Sequence, residues 1–398
     1  MLEPKRHYKD FIGTYKKDHP LRPVYFGSFI FSIGVSLLAY INSGYIASIV
    51  GENKVGIVYS LSSLLTIFFL YIMPRLEKRF GNRNILVFLS ILGAISILLS
   101  SSSAIKYLSL SLFVIYLVSV VLIPFSIDIF VERFTNKKEE GKTRGLFLTV
   151  LNLAWLSGPL VAGTIISKNG FSSVSQITAL SLIIVATIFS FTVRDFKDPY
   201  YRGIKIKETI KNILGKKDIL LISFSNLLLQ IFYAVTVIYI PIYLNTHIGM
   251  GWKEIGLILT VMLVPFVLLD YPLGKLSDTK LGEKELLFVG FMFISVSTLF
   301  ISTIHTNEIL PWMIVLFSGR IGASIVEAMN EIYFFKKIDI REAGLISVFR
   351  GASPLGYLIG PLFGAFFISF FSIQSVFVSL GIITLAGLVI SLLINDTK

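Results

Sequence analysis

Twelve apolar stretches, each long enough to cross a lipid bilayer, alternate with short polar connections along this chain. A spanning helix needs about 20 mostly apolar residues. The stretches are continuous and do not alternate with a period of two, so a β-barrel is not expected. The pattern predicts an all-α membrane protein with both ends on one side. The predicted spans, numbered 1 to 12, are 23–45, 54–73, 84–103, 107–131, 145–167, 172–193, 219–244, 253–274, 284–305, 310–334, 344–371 and 375–394.

Lysine and arginine lie almost entirely on alternate connections. The formal net charge of +12 could suggest a nucleic-acid partner, but the placement of the charge indicates membrane topology instead. The connections after odd-numbered spans carry only Lys54, Lys106, Lys168 and Lys253. Because Lys and Arg favour cytoplasmic connections, we expect both termini in the cytoplasm and the chain in the inner (cell) membrane. We use the name basic side for the side of the membrane that carries the N-terminus and the connections after even-numbered spans. The other side is called the opposite side.

The longest polar connection divides the chain into two sets of six spans. The predicted units are an N-terminal bundle over 1–197, a cytoplasmic linker over 198–217 and a C-terminal bundle over 218–398. The linker is either a short helix on the membrane surface or a solvated basic segment. Landmarks recur about 200 residues apart, which suggests duplication of a six-helix unit. The recurring pairs are Gly81 with Gly282, Gly158-Pro159 with Gly360-Pro361, and Asp128 with Asn330.

Two connections share a loop motif. The connection after span 8 reads Gly274-Lys-Leu-Ser-Asp278-Thr-Lys-Leu-Gly282, and the copy after span 2 keeps a leucine, basic residues and Gly81. We expect Gly274 to allow close helix approach, Gly282 to adopt a positive φ, and Asp278 to accept charge-assisted hydrogen bonds. The copy has Pro74 in place of the first glycine, which weakens the match there.

Spans 5 and 11 each carry a Gly-Pro pair. Span 5 contains Gly158-Pro159 and span 11 contains Gly360-Pro361 between two further glycines. Proline frees a backbone carbonyl and bends a helix, and small neighbours let another helix approach. These helices are interpreted either as gates that flex during transport or as sites of tight packing.

The loop motif and the Gly-Pro motif resemble those of the major facilitator superfamily. The resemblance implies twelve transmembrane helices in two pseudo-symmetric six-helix bundles around a central cavity that opens alternately to each side. It also implies a monomer. The Gly158-Pro159 motif resembles that of the antiporters in the superfamily and slightly favours efflux.

Ionisable residues inside spans are candidates for proton coupling because they are costly in lipid. Glu327 and Arg320 lie seven residues apart on span 10, and Asp128 follows Pro124 in span 4. At about 1.5 Å per residue the pair on span 10 is about 10 Å apart along the axis. We expect the two to meet through water or to find partners on other helices. A purely structural ion pair is the alternative.

Arg350 begins span 11 and is expected to neutralise Glu77 or Asp270. Aromatic and amide side chains in spans that line the pathway of the resembled family are candidates for the substrate cavity. These candidates are Tyr40, Asn42, Asn152, Trp155, Asn226, Gln230, Tyr233 and Asn330.

The sequence therefore predicts a secondary transporter of a small organic solute, with proton coupling favoured over uniport. Uptake of a sugar, nucleoside or carboxylate is one alternative, and a receptor that kept the fold but lost transport is another. With no cysteine in the chain and no histidine in mid-membrane, we expect no cofactor, no metal site and no enzymatic activity.

Overall fold

The computed structural model describes residues 21–134, 140–193, 215–279, 282–338 and 343–395, and every regular element in these ranges is a helix. In lipid the backbone N–H and C=O groups must bond within the segment, so apolar runs of this length form helices. Spans 1 to 6 are Leu21–Ala39 with Asn42–Val50, Glu52–Phe80, Asn82–Ser102, Lys106–Phe134, and the two arms of Glu140–Thr192. Spans 7 to 12 are Lys217–Ile242 with the π-helical turn Tyr243–His247, Trp252–Thr279, Glu283–Ile301, Ile309–Lys337, Ala343–Arg350 with Ala352–Phe370, and Ile373–Thr384 with Ala386–Leu393.

Eleven helical segments of the described chain are long and apolar enough to cross a membrane, and one of them makes two crossings. This long helix has a non-helical residue at Gly170, where φ is 76° and ψ is 178°. Thr178 on its second arm donates a hydrogen bond to the carbonyl of Gly34 (2.9 Å), while Ser36 donates to the carbonyl of Ala154 on its first arm (3.2 Å). Both arms therefore pack against the same part of span 1, so the chain reverses at Gly170 and twelve crossings result.

Spans 3, 6, 9 and 12 present apolar faces to the surroundings. On span 3 the exposed side chains are Phe88, Ile91, Ile95 and Leu99, which share one face at helical spacing. Similar exposed rows on spans 6, 9 and 12 contain Leu180, Ile183, Met292, Val296, Ile382 and Val389. An apolar outer surface of this kind fits contact with lipid. Spans 2 and 11 carry exposed apolar rows as well, such as Leu61, Phe68, Leu362 and Phe366.

The first half of the protein (spans 1 to 6) contacts the second half (spans 7 to 12) between spans 2 and 11 and between spans 5 and 8. Ser60 donates a hydrogen bond to the carbonyl of Leu358 (2.7 Å), and the backbone N–H of Leu160 donates to Thr260 Oγ1 (3.1 Å). Both contacts lie towards the opposite side of the membrane. The halves are thus packed together on that side.

The prediction of an all-α membrane fold with twelve spans is confirmed. Each predicted span overlaps an observed helix or pair of helices, and most ends agree to within a few residues. Span 9 ends at Ile301, four residues before its predicted end, and span 1 extends to Val50 and is broken at Tyr40–Ile41. Most of the predicted linker over 198–217 lies outside the described residues, so its proposed surface helix stays a prediction, as do the boundaries of the two bundles.

The two loop-motif glycines differ in backbone conformation. Gly81 has φ 82° and ends span 2, as a glycine can without steric cost. Gly282 has φ −75° and ψ 167°, so the expected positive φ is wrong at this position. Span 9 begins directly after an extended residue there, and this conformation needs no glycine. The side-chain surroundings of Gly274 and Asp278 lie outside the described residues, and their roles stay predictions.

Candidate functional site: a cavity between the two halves

A cavity of about 630 Å³ lies between the halves, and its walls come from spans 1, 2, 4, 5, 7, 8, 10 and 11. Span 5 runs from the basic side to the opposite side, and its lining residues Asn152 and Trp155 come before the contact residue Leu160. Span 8 runs the other way, and its lining residue Phe266 comes after the contact residue Thr260. On spans 2 and 11 the lining residues also lie on the basic side of the contact residues Ser60 and Leu358, except for Tyr59, which directly precedes Ser60. The cavity therefore lies on the basic side of the contact between the halves and is closed towards the opposite side.

Arg320 on span 10 is the buried cation of this cavity, with 3% of its surface exposed. Its guanidinium donates a hydrogen bond to Thr236 Oγ1 (3.1 Å) and lies over the rings of Phe232 (5.5 Å) and Tyr233 (5.2 Å). A cation over an aromatic face is attracted by the ring quadrupole, most strongly where water is excluded. Span 7 therefore holds the guanidinium in place with one hydroxyl and two rings.

Tyr233 joins Arg320 to Glu327. Its hydroxyl donates a hydrogen bond to Glu327 Oε2 at 2.7 Å, while its ring lies under the Arg320 guanidinium. Glu327 is exposed and lines the cavity, about two helical turns from the buried base on the same helix. The acid and the base, expected to meet through water or through other helices, are bridged here by a tyrosine of span 7. The cluster of Arg320, Tyr233 and Glu327 is called the charge cluster below.

Two further phenols border the charge cluster. Tyr40 and Tyr357 both line the cavity, and each lies close enough to Arg320 for an electrostatic interaction. Tyr40 stands at the break of span 1, where the helix is interrupted in mid-membrane. Broken helices at this depth are tolerated where they are buried in protein or line a cavity.

The structure places most of the predicted cavity residues on the cavity wall. Those on the wall are Tyr40, Asn42, Asn152, Trp155, Gln230 and Tyr233, together with Arg320 and Glu327. The other two amides are placed elsewhere. Asn226 donates to the carbonyl of Phe349 (3.1 Å), and Asn330 accepts from Ser225 (2.7 Å), so both are used in packing between spans 7, 10 and 11. Asp128 is half-buried on span 4 and is not among the residues that line the cavity.

Arg350 lies at the mouth of the cavity on the basic side. Its guanidinium donates two hydrogen bonds to the carboxylate of Glu331, one of them at 3.0 Å, and its side chain is 56% exposed. The partner that the structure describes is therefore Glu331, and neutralisation of Glu77 or Asp270 by Arg350 stays a prediction. Glu331 lies on the neighbouring span 10, and the planar guanidinium matches its two oxygens.

The two Gly-Pro pairs occupy corresponding positions in the two halves. A Cβ built at Gly158 would lie 2.6 Å from Cβ of Ser36 on span 1, and one built at Gly360 would lie 3.1 Å from Cβ of Ala234 on span 7. Each glycine thus lets its helix approach a neighbour in its own half. The carbonyl of the following proline faces a glycine of the other half.

Sequence reasoning missed the residues that receive these proline carbonyls. A Cβ at Gly256 would lie 2.4 Å from the Pro159 carbonyl oxygen, and a Cβ at Gly56 would lie 2.0 Å from that of Pro361. One turn further along each helix come the hydrogen-bonding hydroxyls of Ser60 and Thr260. These two Gly-x-x-x-Ser/Thr pairs lie 200 residues apart, so they could have been recognised in the sequence as another repeat between the halves. We call the two contacts the glycine–proline contacts.

The sequence comparison with protein families decides the assignment. The family model for the Major Facilitator Superfamily matches residues 24–330 and, in a second match, residues 222–398. The chain belongs to the major facilitator superfamily. Membership places it among membrane transport proteins and fits a cavity between two sets of six spans.

Individual relatives are more distant. An uncharacterized MFS-type transporter of Methanocaldococcus jannaschii is 28% identical over 151 residues, a match that spans 38% of this chain and 38% of that protein. The crystal structure of a mutant of the nucleoside transporter NupG has a TM-score of 0.73 at 10% identity and covers 94% of this chain and 99% of that chain. A bacterial homologue of the human lysosomal transporter Spinster, in an inward-facing and unoccupied conformation, has a TM-score of 0.72 at 13% identity, with 97% and 96% covered. At these identities the two structures support the fold alone.

The packing around Arg320 can be tested by its conservative substitution. Arg320→Lys keeps the positive charge, but an ammonium cannot contact both rings and Thr236 at once. We expect the protein to lose about 2 kcal/mol of stability, since a desolvated cation–π contact contributes roughly that much. The measurement is the thermal unfolding midpoint in detergent.

Arg75→Lys is the matched control, because Arg75 lies over the Tyr71 ring at a similar 5.4 Å but on the exposed surface. An exposed contact of this kind contributes roughly 0.5–1 kcal/mol, so this variant should unfold near the wild-type midpoint. Equal shifts in the two variants would contradict the packing role assigned to Arg320.

Proposed function

We propose that the protein is a proton-coupled secondary transporter that exports a small organic solute across the cell membrane by alternating access. The observation that carries the proposal is the charge cluster on the cavity wall. An exposed carboxylate, Glu327, is linked through Tyr233 to the buried Arg320. Protonation of this carboxylate would change the charge of the wall at which a solute binds.

Proton coupling follows from where the acid lies. A carboxylate at membrane depth is costly unless it has a function or a partner, and here it borders the space between the halves. In that position it would take up a proton from one side and release it to the other as the halves rock. The gradient supplies about 2.3 kcal/mol for each charge that crosses 100 mV.

Direction and orientation rest on two further features of the sequence. The Gly158-Pro159 pair, which packs on span 1 and faces Gly256, is the feature that favours export over uptake. The positive-inside rule assigns the basic side, and with it both termini, to the cytoplasm. The cavity would then be open to the cytoplasm in this conformation. We propose that the transporter works as a monomer, because one chain supplies every wall of the cavity.

The alternative of a receptor without transport receives less support. Such a protein needs no continuous cavity between its halves, whereas this one has a cavity with aromatic, amide and charged walls. Uptake by symport remains the second transport hypothesis, and one experiment separates it from export.

The test is proton movement in proteoliposomes that contain the purified protein and a pH-sensitive dye. A transported solute should move protons in the direction opposite to its own if the protein is an exporting antiporter. Proton flux in the same direction as the solute would instead indicate uptake by symport. Solute flux without any proton flux would contradict the coupling.

A further inference from the structure

Three buried polar atoms on the cavity wall have no hydrogen-bond partner within the described part of the chain. They are Oδ1 of Asn42 and the hydroxyl oxygens of Tyr59 and Tyr116. The three residues are 5%, 7% and 0% exposed, respectively. Native structures rarely leave buried polar atoms unsatisfied, and each such atom costs about 1–3 kcal/mol when it has no partner.

These three residues all belong to the first half and line the cavity at similar depths. Asn42, Tyr59 and Tyr116 lie about 8, 7 and 10 residues from the ends of spans 1, 2 and 4 on the opposite side. At about 1.5 Å per residue, these separations place them at depths of roughly 10–15 Å from that side. Tyr59 and Tyr116 lie close enough to interact electrostatically. Tyr59 is also next to Ser60, whose hydroxyl joins the two halves. We call the three residues the polar pocket.

The polar pocket contains no charged group. The groups that interact electrostatically with the Tyr59 phenol are the phenols of Tyr116, Tyr239 and Tyr357. The Tyr239 hydroxyl is already used, since it donates to the Pro361 carbonyl at 2.8 Å. A charged ligand group would face desolvation here without an opposite charge, whereas an uncharged polar group would not.

The donors and acceptors of the polar pocket select among uncharged groups. The amide oxygen of Asn42 can only accept, so the ligand must donate to it. The phenols of Tyr59 and Tyr116 can both donate and accept. A ligand hydroxyl does both, so a ligand that carries several hydroxyl groups matches the donors and acceptors of the polar pocket.

We propose that the polar pocket binds the hydroxyl groups of an uncharged, hydroxylated ring, such as a sugar or the ribose of a nucleoside. This inference rests on the proposed transport function and names the solute class for it. The ring would lie between the polar pocket of the first half and the charge cluster of the second half. Its binding would join the halves at the point where the cavity is closed.

The experiment measures binding to the purified, full-length protein in detergent. The probes are radiolabelled D-xylose, D-glucose and uridine, with tetraphenylphosphonium as a probe that has no hydroxyl. In Tyr59→Phe and Tyr116→Phe only one hydroxyl is removed, and we expect the affinity for a hydroxylated probe to fall by about tenfold in each. Tyr107→Phe, whose ring is 84% exposed at the start of span 4, is the control and should bind like wild type.

A second readout separates a binding role from a structural one. Without any probe, Tyr116→Phe should keep or raise the thermal unfolding midpoint, because its hydroxyl has no partner to lose. Tyr239→Phe should lower the midpoint, because it removes the hydrogen bond to Pro361. A lowered midpoint in Tyr116→Phe would contradict the unsatisfied state of that hydroxyl.

The outcomes also separate this inference from the proposed function. Unchanged affinity for the hydroxylated probes in both variants would overturn the polar pocket as their site, and binding of tetraphenylphosphonium alone would overturn the solute class. Either result leaves proton-coupled transport in place. Absence of binding by every probe, together with absence of proton flux in proteoliposomes, would overturn both.

Discussion

Glu327→Gln is expected to abolish proton-driven movement of solute while the protein still folds and binds. The substitution keeps the size of the side chain and a group that can accept the hydrogen bond from Tyr233, which is 2.7 Å from Glu327 Oε2. It removes the titratable proton. Net transport against a gradient should fall to background, whereas exchange of labelled for unlabelled solute at equal concentrations should persist, since exchange requires no net proton transfer.

Glu308→Gln is the matched control for this prediction. Glu308 is an exposed acid that directly precedes span 10, the span that carries Glu327. Its loss should leave both transport and exchange unchanged. Wild-type proton flux in Glu327→Gln would remove this carboxylate from the coupling mechanism, and loss of exchange as well as net transport would indicate a binding defect instead.

Gly256→Ala is expected to prevent closure on the opposite side and so stop the transport cycle. The new Cβ would lie 2.4 Å from the Pro159 carbonyl oxygen, a backbone atom that cannot move without shifting span 5. Gly56→Ala should act in the same way at the second glycine–proline contact, where the distance to the Pro361 carbonyl oxygen is 2.0 Å. Small residues are what allow backbones to approach this closely in a membrane.

Because the chain has no cysteine, one introduced thiol can report this closure. Ser60→Cys lies in the contact between spans 2 and 11 and should react slowly with a membrane-impermeant thiol reagent added on the opposite side. In combination with Gly256→Ala it should react rapidly, and transport should be lost. Gly93→Ala is the control, since its Cβ would meet only side chains of its own half at 3.3 Å. Slow labelling and normal transport in the Gly256→Ala variant would contradict the closing role of the contact.

Much of the fold could be predicted because the bilayer imposes strong rules on sequence. Apolar runs gave the positions of the spans, and basic residues showed which connections lie on the same side of the membrane. The crossings and their order could therefore be predicted. The break at Tyr40–Ile41 was not predicted, although Asn42, Ser43 and Gly44 follow it directly, because no proline lies there and such residues also occur inside membrane helices. The conformation of Gly282 was predicted wrongly because a motif gives the residue type at a turn without giving its dihedral angles.

The candidate site was predictable in its residues but only partly in its contacts. Ionisable residues in apolar runs stand out, so Arg320 and Glu327 were found, but their bridge through Tyr233 depends on how span 7 is rotated against span 10. Rotation is also why Asn226 and Asn330 face other helices and not the cavity. Hydropathy does not report rotation, because nearly all faces of these helices are apolar.

The central claim is that two halves enclose one cavity and open it alternately to the two sides. The most direct measurement is the distance between paired spin labels in the full-length protein, with one pair at Lys54→Cys and Ser372→Cys on the opposite side and another at Lys78→Cys and Glu285→Cys on the basic side. The account predicts that a change of pH or added solute lengthens one distance while it shortens the other. Two distances that stay constant, or that lengthen and shorten together, would contradict it.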